Sequence, residues 1–337
     1  MKAIQFLGMT AFMAAMLTGC SNDSDLAHSN FPDDNIIRVT AGVNGAVTRA
    51  DPMGTELNSD FKFSLTVVNK DTENEYNYKY THENRIFQKI GTEWICNTIL
   101  LWQDAETPVD VAALAPVIDK DWIFLGILNN QNQFRTLEYE ITADQKTQKP
   151  ENDLLYYYKS NLVPKNELNT DGKLDIQFNH AFSMIDINVT LGTEYSQQEN
   201  PIKEVIVGGS KLKATIDVAN SEGNVAYAST EGENPEADIT TTPGTFTMAQ
   251  TDQKNSTAEY SCILIPQKID ANKFKVTLKT SSKTYVWTSS EDITLETGRR
   301  YTLKLKMGKD VVTAQNGNIS ADSWKEGTAP DSSLGTK

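Results

Sequence analysis

The chain has 337 residues, with 45 Asp and Glu against 31 Lys and Arg and a formal net charge of −14. So acidic a surface repels phosphate backbones and anionic headgroups, which excludes nucleic acid and anionic membrane as expected partners of the folded body. Three cysteines and three histidines are too few for a disulfide framework, and a chain of this length is expected to form two bodies, each with its own core.

The N-terminus carries one positive charge, Lys2. An apolar stretch from Ala3 to Leu17 follows, interrupted by Gln5, Gly8 and Thr10, and then Leu17-Thr18-Gly19-Cys20. A charged start, an apolar middle and small residues at the end describe a secretory signal peptide over residues 1–19. The stretch is too short and too broken for a spanning helix. The Leu-Thr-Gly-Cys ending resembles the bacterial lipobox, which implies cleavage between Gly19 and Cys20 and lipid (palmitate) attachment to the Cys20 thiol. The alternative is an ordinary secretory signal that happens to end beside a cysteine. Each buried methylene of an acyl chain contributes about 0.8 kcal/mol, so stable anchoring takes more than one chain. Residues 20–35 are polar and acidic beyond Cys20 and read as a tether that cannot bury a core.

From residue 36 onward the apolar pattern has period two. Ile37, Val39, Ala41 and Val43 share one face. Phe61, Phe63, Leu65 and Val67 alternate with Lys62, Ser64 and Thr66, and Tyr76, Tyr78 and Tyr80 alternate with Asn77 and Lys79. Later come Leu212, Ala214, Ile216 and Val218; Phe274, Val276 and Leu278; and Tyr301, Leu303, Leu305 and Met307. Such alternation predicts antiparallel strands with one packed and one wet face. Asn44-Gly45, Asp171-Gly172, Gly208-Gly209 and Asn316-Gly317 predict turns, and no helical stripe appears. The expected class is all-β, built of β-sandwiches.

Residues 174–191 break the pattern instructively. Leu174, Ile176 and Phe178 are apolar at even positions, whereas Ile185, Ile187, Val189 and Leu191 are apolar at odd ones. The phase reverses between His180 and Ser183, which predicts a bulge or bend there and two packing surfaces on either side. The polar residues 192–201 are the expected boundary, giving an N-terminal body over 36–192 and a C-terminal body over 193–337. Residues 219–245 read as a long loop. Cys96 and Cys262 lie in apolar strand-like runs far apart in sequence and are expected as buried free thiols.

Chemistry-bearing patterns are absent. His28 lies in the tether, His82 has no second histidine at metal spacing, and His180 at the phase reversal reads as structural. No nucleophile elbow, phosphate loop or dinucleotide fingerprint occurs, and Glu106, Asp119 and Asp121 lack calcium-loop spacing. Trp94, Trp102, Trp122 and Tyr156–Tyr158 could line a glycan platform, but core packing is the better reading for aromatics in a β-protein. No catalytic, metal or cofactor site is expected.

A set of motifs in order carries a family resemblance. Beyond the lipobox-like start these are Val47-Thr48-Arg49-Ala50, Asp153-Leu154-Leu155-Tyr156 and Phe178-Asn179-His180-Ala181-Phe182. Ile263-Leu264-Ile265-Pro266, Gly298-Arg299-Arg300-Tyr301-Thr302-Leu303 and Trp324 complete the set. The chain resembles the fimbrillins, subunits of type V fimbriae of anaerobic gut and oral bacteria. The resemblance implies two transthyretin-like Greek-key β-sandwich domains in tandem, no enzymatic activity, and travel as a lipoprotein precursor to the outer membrane. It also implies that an arginine-specific or trypsin-like protease cuts the precursor, here at Arg49–Ala50, and that a strand from a neighbouring subunit fills the groove left by the first strand. The local Thr48-Arg49-Ala50-Asp51-Pro52 is small and polar, as a cleavable loop requires.

One feature departs from a stalk subunit. Lys325–Lys337 offer only Ala329 and Leu334 as apolar residues, and Val311, Val312, Ile319 and Trp324 are divided by Asn316-Gly317. A C-terminal donor strand is therefore poorly specified, which favours a tip, accessory or anchor subunit, the last retaining Cys20. The alternative is a surface lipoprotein that binds glycan or another ligand and never polymerises. If Cys20 carries the lipid, cells expressing Cys20→Ser incorporate no labelled palmitate into this chain, while the wild type does; label in the variant would refute the assignment.

Overall fold

A computed structural model describes residues 30–44, 57, 61–71, 77–117, 128–129, 132–219, 226–228, 235–251, 253–315 and 319–323. In chain order the strands are β1 (Val39–Val43), β2 (Lys62–Asn69), β3 (His82–Ile90), β4 (Glu93–Cys96), β5 (Val109–Ala115), β6 (Thr136–Glu140), β7 (Leu155–Leu162) and β8 (Leu174–His180). There follow β9 (Ser183–Leu191), β10 (Ile202–Lys211), β11 (Lys213–Asp217), β12 (Ala226–Ala228), β13 (Glu236–Thr240), β14 (Thr242–Thr247) and β15 (Thr257–Leu264). The last are β16 (Lys268–Ile269), β17 (Lys275–Thr280), β18 (Thr284–Thr288), β19 (Ile293–Thr294), β20 (Arg299–Met307), β21 (Val312–Ala314) and β22 (Ser320–Ser323). Among the described residues the only α-helix is a single turn, Pro164–Glu167. The fold is all-β, as the alternation predicts.

Two hydrophobic cores organise these strands. A seven-stranded sheet in the order β1-β8-β7-β5-β2-β3-β4 encloses the first. Its centre is aromatic: the Phe63 ring stacks on Phe87 at 5.4 Å and meets Phe178 edge-on at 5.4 Å, beside the buried Trp102. The second core lies between a six-stranded sheet, in which β9 is flanked by β15 and β20, and the sheet β13-β10-β17-β18. Val205, Val207, Val276 and Leu278 from the latter meet Ile185, Ile187, Val189 and Leu191.

The expected phase reversal is the point where the chain passes from one core to the other. Leu174, Ile176 and Phe178 of β8 are buried in the first core, and Ile185, Ile187, Val189 and Leu191 of β9 in the second. Between them the chain bends at Ala181 and Phe182. The Ala181 amide donates to the Leu154 carbonyl (2.7 Å), and the Phe182 carbonyl accepts from Gly298 (3.0 Å). Just before the bend, fully buried His180 and Asp153 face each other, Nδ1 to Oδ1 at 2.9 Å. Two ionisable groups withdrawn from water require such pairing.

Several expectations are corrected by long-range packing. The range 36–192, expected as one body, contributes to both cores: β9 pairs with β15 and β20, and β6 pairs with β11. Residues 192–201 therefore connect two strands of the second core rather than two bodies. The alternate face of β2 is not wet. Ser64 and Thr66 are buried, and Val68, Ala112, Leu114 and Tyr156 on that side pack into the second core. This sheet is covered on both faces, so β5 is nearly all apolar. The expected loop 219–245 contains β12, β13 and the start of β14. Asn77–Tyr80 is a 3₁₀ turn, not a strand.

Gly208-Gly209, expected as a turn, is a bulge inside β10, where the pairing with β13 shifts register between Val207 and Ser210. Gly209 sits at φ +90°, and a Cβ there would collide with the Lys273 carbonyl. Gly209→Ala is expected to destabilise the protein by about 2–3 kcal/mol, read as a lower thermal midpoint by circular dichroism. Gly91→Ala, at φ +64° with nothing within 4 Å, should cost only about 1 kcal/mol.

Candidate functional site

The signal-peptide junction Gly19–Cys20 and the bond Arg49–Ala50 lie outside the described residues, as does Trp122. The described part of the site is the first strand and the groove that holds it. Its N-terminal approach is more ordered than the expected tether. Pro32-Asp33-Asp34-Asn35 closes a turn, with Asn35 N–H donating to the Pro32 carbonyl (3.0 Å). Phe31 packs against the first core, and the Asn30 side chain donates to the Leu168 carbonyl (3.2 Å). The Arg38 guanidinium donates to both Asp34 oxygens, at 2.9 and 2.6 Å. With the Ile36 amide also donating to Asp34, that carboxyl is held down to about 2.

Residues 35–43 then bridge two edges. Ile37 N–H donates to the Leu100 carbonyl (2.9 Å), and Trp102 N–H to the Asn35 carbonyl (2.8 Å). Beyond this, β1 runs parallel to β8 in the register Val39↔Leu174 to Val43↔Phe178. Ile37 and Val39 are buried, and Ala41 and Val43 pack partly on the same core. On the other face, the Thr40 hydroxyl donates to Asp175 (2.9 Å) and the Asn44 amide to Asn179 (3.1 Å). Ile37 and Val39 each contribute about 1.5–3 kcal/mol by leaving water. β1 ends one side of its sheet, with no strand beyond it among the described residues. Its loss would uncover a row of apolar side chains and leave unpaired backbone groups along β8.

His82 fixes the opposite wall. Its Nε2 lies 2.9 Å from the Leu101 carbonyl and 3.2 Å from the Leu101 amide. Burial pushes the imidazole below its ordinary pKa. At the other end of the chain, β22 and β21 line β20 one after the other, on Arg299–Thr302 and Leu305–Met307 respectively. Val312 is buried and Ile319 packs on the second core. Of the apolar residues considered for a donor strand, Val312 thus lies in this chain's own sheet and Ile319 on its core, Val311 is exposed, and Trp324 lies outside the described residues.

The other singled-out residues are structural. Trp102 and Tyr156 are buried and Trp94 packs on Phe61 and Phe63, as core packing requires. Cys96 and Cys262 are both free thiols, in different cores. Cys262 is buried as expected and burial raises its pKa, while Cys96 is only partly covered. The contribution of residues 30–35 escaped sequence reading, although Phe31 is the one aromatic in an otherwise polar segment.

Residues 48–324 match the fimbrillin-like family. The chain belongs to this family. No curated protein sequence matches it. Among solved structures it is similar to a candidate cell adhesion protein of Bacteroides ovatus, at 15% identity and a TM-score of 0.58, covering 87% of this chain and 99% of that one. A second candidate cell adhesion protein, from Bacteroides uniformis, is 16% identical with a TM-score of 0.55, over 87% and 100% of the two chains. A fimbrial protein of Bacteroides vulgatus is 14% identical with a TM-score of 0.53, over 86% and 99%. At these identities the likeness concerns the fold.

His82 gives a test of the groove wall. A base whose folded pKa is depressed binds fewer protons folded than unfolded. Its neutral form therefore supports the fold above the unfolded value, and that support is lost as pH falls below about 6.5. Denaturant midpoints measured at pH 7 and pH 5 should fall for the wild type by more than for His82→Gln; equal falls would show that His82 does not titrate in this way.

Proposed function

We propose that this protein is a structural or accessory subunit of a surface fimbrium that assembles by replacing its first strand. The observation that supports this most directly is the placement of β1. It lies at a sheet edge, its apolar face completes the first core, and the chain joins it to β2 only through the segment that contains Arg49. Cutting Arg49–Ala50 leaves β1 and the lipid-bearing Cys20 on one fragment and every later strand on the other. Neither Cys96 nor Cys262 precedes that bond, so no disulfide within the chain can hold the fragments together. The vacated groove would then accept an extended strand from another subunit, whose backbone pairs with β8 and whose alternate side chains refill the core. The family membership supports the same reading.

On this reading the protein is exported as a lipoprotein, held at the outer membrane by the acyl chains on Cys20, and released to the fimbrium by a trypsin-like or arginine-specific protease. Its partners are other fimbrial subunits; enzymatic activity has no place in it. On this reading the two cores are its tandem transthyretin-like sandwiches, and the ribbon of residues 174–191 passes from one to the other at Ala181–Phe182. Because Val312 and the strand after Ile319 pair with β20, a donor drawn from them would first have to leave its own sheet. This favours a tip, accessory or anchor position over a stalk position.

The decisive experiment treats purified full-length precursor with trypsin at limiting enzyme. Cleavage at Arg49 is expected for the wild type and not for Arg49→Ala. SDS-resistant ladders after cleavage would show that the chain supplies its own donor, cleavage with no ladder would count against a stalk role, and mature protein from cells that always begins at lipidated Cys20 would favour an anchor.

A further inference from the structure

We infer that the second core carries a glycan-binding cleft, built on Trp287 and Glu291, that takes one uncharged pyranose unit. The cleft has a volume of about 260 Å³ and opens at the edge of the second core, between the end of β18 and β20. Its floor is apolar. Trp287 is partly buried and held edge-on against Phe274, with ring centres 6.4 Å apart. Tyr301 and Ile293 are buried beside it, and Ile319 packs alongside. The Tyr301 hydroxyl is already used, accepting from the Glu296 amide at 2.8 Å, so Tyr301 offers the cleft its ring rather than a polar group.

The rim is a loop of hydroxyls and carboxylates, Thr288 to Asp292, continued by Thr294. Part of it is spent on holding itself in shape. The Ser289 hydroxyl donates to the Glu291 carbonyl (2.8 Å), and Asp292 binds the Lys268 ammonium (2.6 Å) and the Ala271 amide (2.9 Å). The Glu291 carboxylate and the hydroxyls of Thr288, Ser290 and Thr294 make no hydrogen bond among the described residues, and all four residues are exposed. Unspent acceptors and hydroxyls above an aromatic floor match the two faces of a pyranose: C–H groups against the ring, hydroxyls toward the carboxylate. Glu291 and Asp292 at the mouth repel sialic and uronic acids, which selects a neutral hexose or N-acetylhexosamine. A peptide strand fits less well, because it would require a row of alternate apolar pockets rather than one slot with a polar rim. The site lies in the core that does not hold β1, so it is independent of whether β1 is replaced.

The test is titration of the full chain with the methyl β-glycosides of glucose, galactose, N-acetylglucosamine and N-acetylgalactosamine, followed by tryptophan fluorescence. A saturable change with at least one glycoside is expected. Trp287→Phe should weaken it at least about tenfold and Glu291→Gln at least about fivefold. Trp94→Phe, in the other core, should leave the affinity unchanged. Glu291 is exposed, so Glu291→Gln should keep the wild-type circular dichroism and separates lost binding from lost folding. No saturable response to any of the four up to about 50 mM overturns the inference. So does equal affinity in the Trp287 and Glu291 variants, or saturable binding of a peptide of sequence Ile36–Val43 in place of the glycosides.

Discussion

The side-chain alternation of a β-strand, combined with one reversal of its phase, is the constraint on which the architecture rests. Residues 174–191 form a ribbon shared by both cores. Before Ala181 its even-numbered side chains are buried in one, and after Phe182 its odd-numbered side chains are buried in the other. Each half of the ribbon has one antiparallel and one parallel neighbour. β8 lies between β7 and β1, and β9 between β15 and β20. Because consecutive residues of a strand point to opposite faces, a straight ribbon of this sequence would turn one set of apolar residues to water. The bend places both sets inside.

The same ribbon makes the first strand replaceable in principle. A parallel neighbour cannot arrive by a tight hairpin, so β1 reaches β8 across the full sequence distance between them. What holds it is a few apolar side chains, one backbone ladder, the short pairing with residues 100–102 and the polar contacts at Asp34, Asp175 and Asn179. Each is a local interaction that another extended chain could reproduce. The central strands of the first core differ, since β2 and β5 are covered on both faces and any change there disturbs two cores together.

Local features were readable in the amino-acid order. Val39 to Val43 and the alternating runs at 213–217, 275–280 and 299–307 all became strands, and the phase reversal at 180–183 became a bend, because period two is a local property. The first-strand groove was legible to the same extent: its apolar face follows from that alternation. What covers the far side of a strand was not legible. Ser64 and Thr66 look like a wet face until the second core is laid over them, and Gly208-Gly209 looks like a turn until β13 and β17 are placed on either side of β10. The tether's last residues look solvated until Asn30 and Phe31 meet Leu168 and the first core.

The order of residues by itself determined that this protein is all-β, that its surface is acidic, and that residues 174–191 must face two ways, because these follow from charge count and from the two-residue period of the strand. Only the tertiary structure decided which strands share a core. The pairing of β6 with β11, the burial of β9 among C-terminal strands and the seating of β1 on β8 join residues far apart in sequence. Their partners are selected by the complementarity of assembled surfaces, which no local pattern contains. The cleft at Trp287 belongs to the same class: its floor and rim come from separate strands and one loop, brought together only when the second core closes.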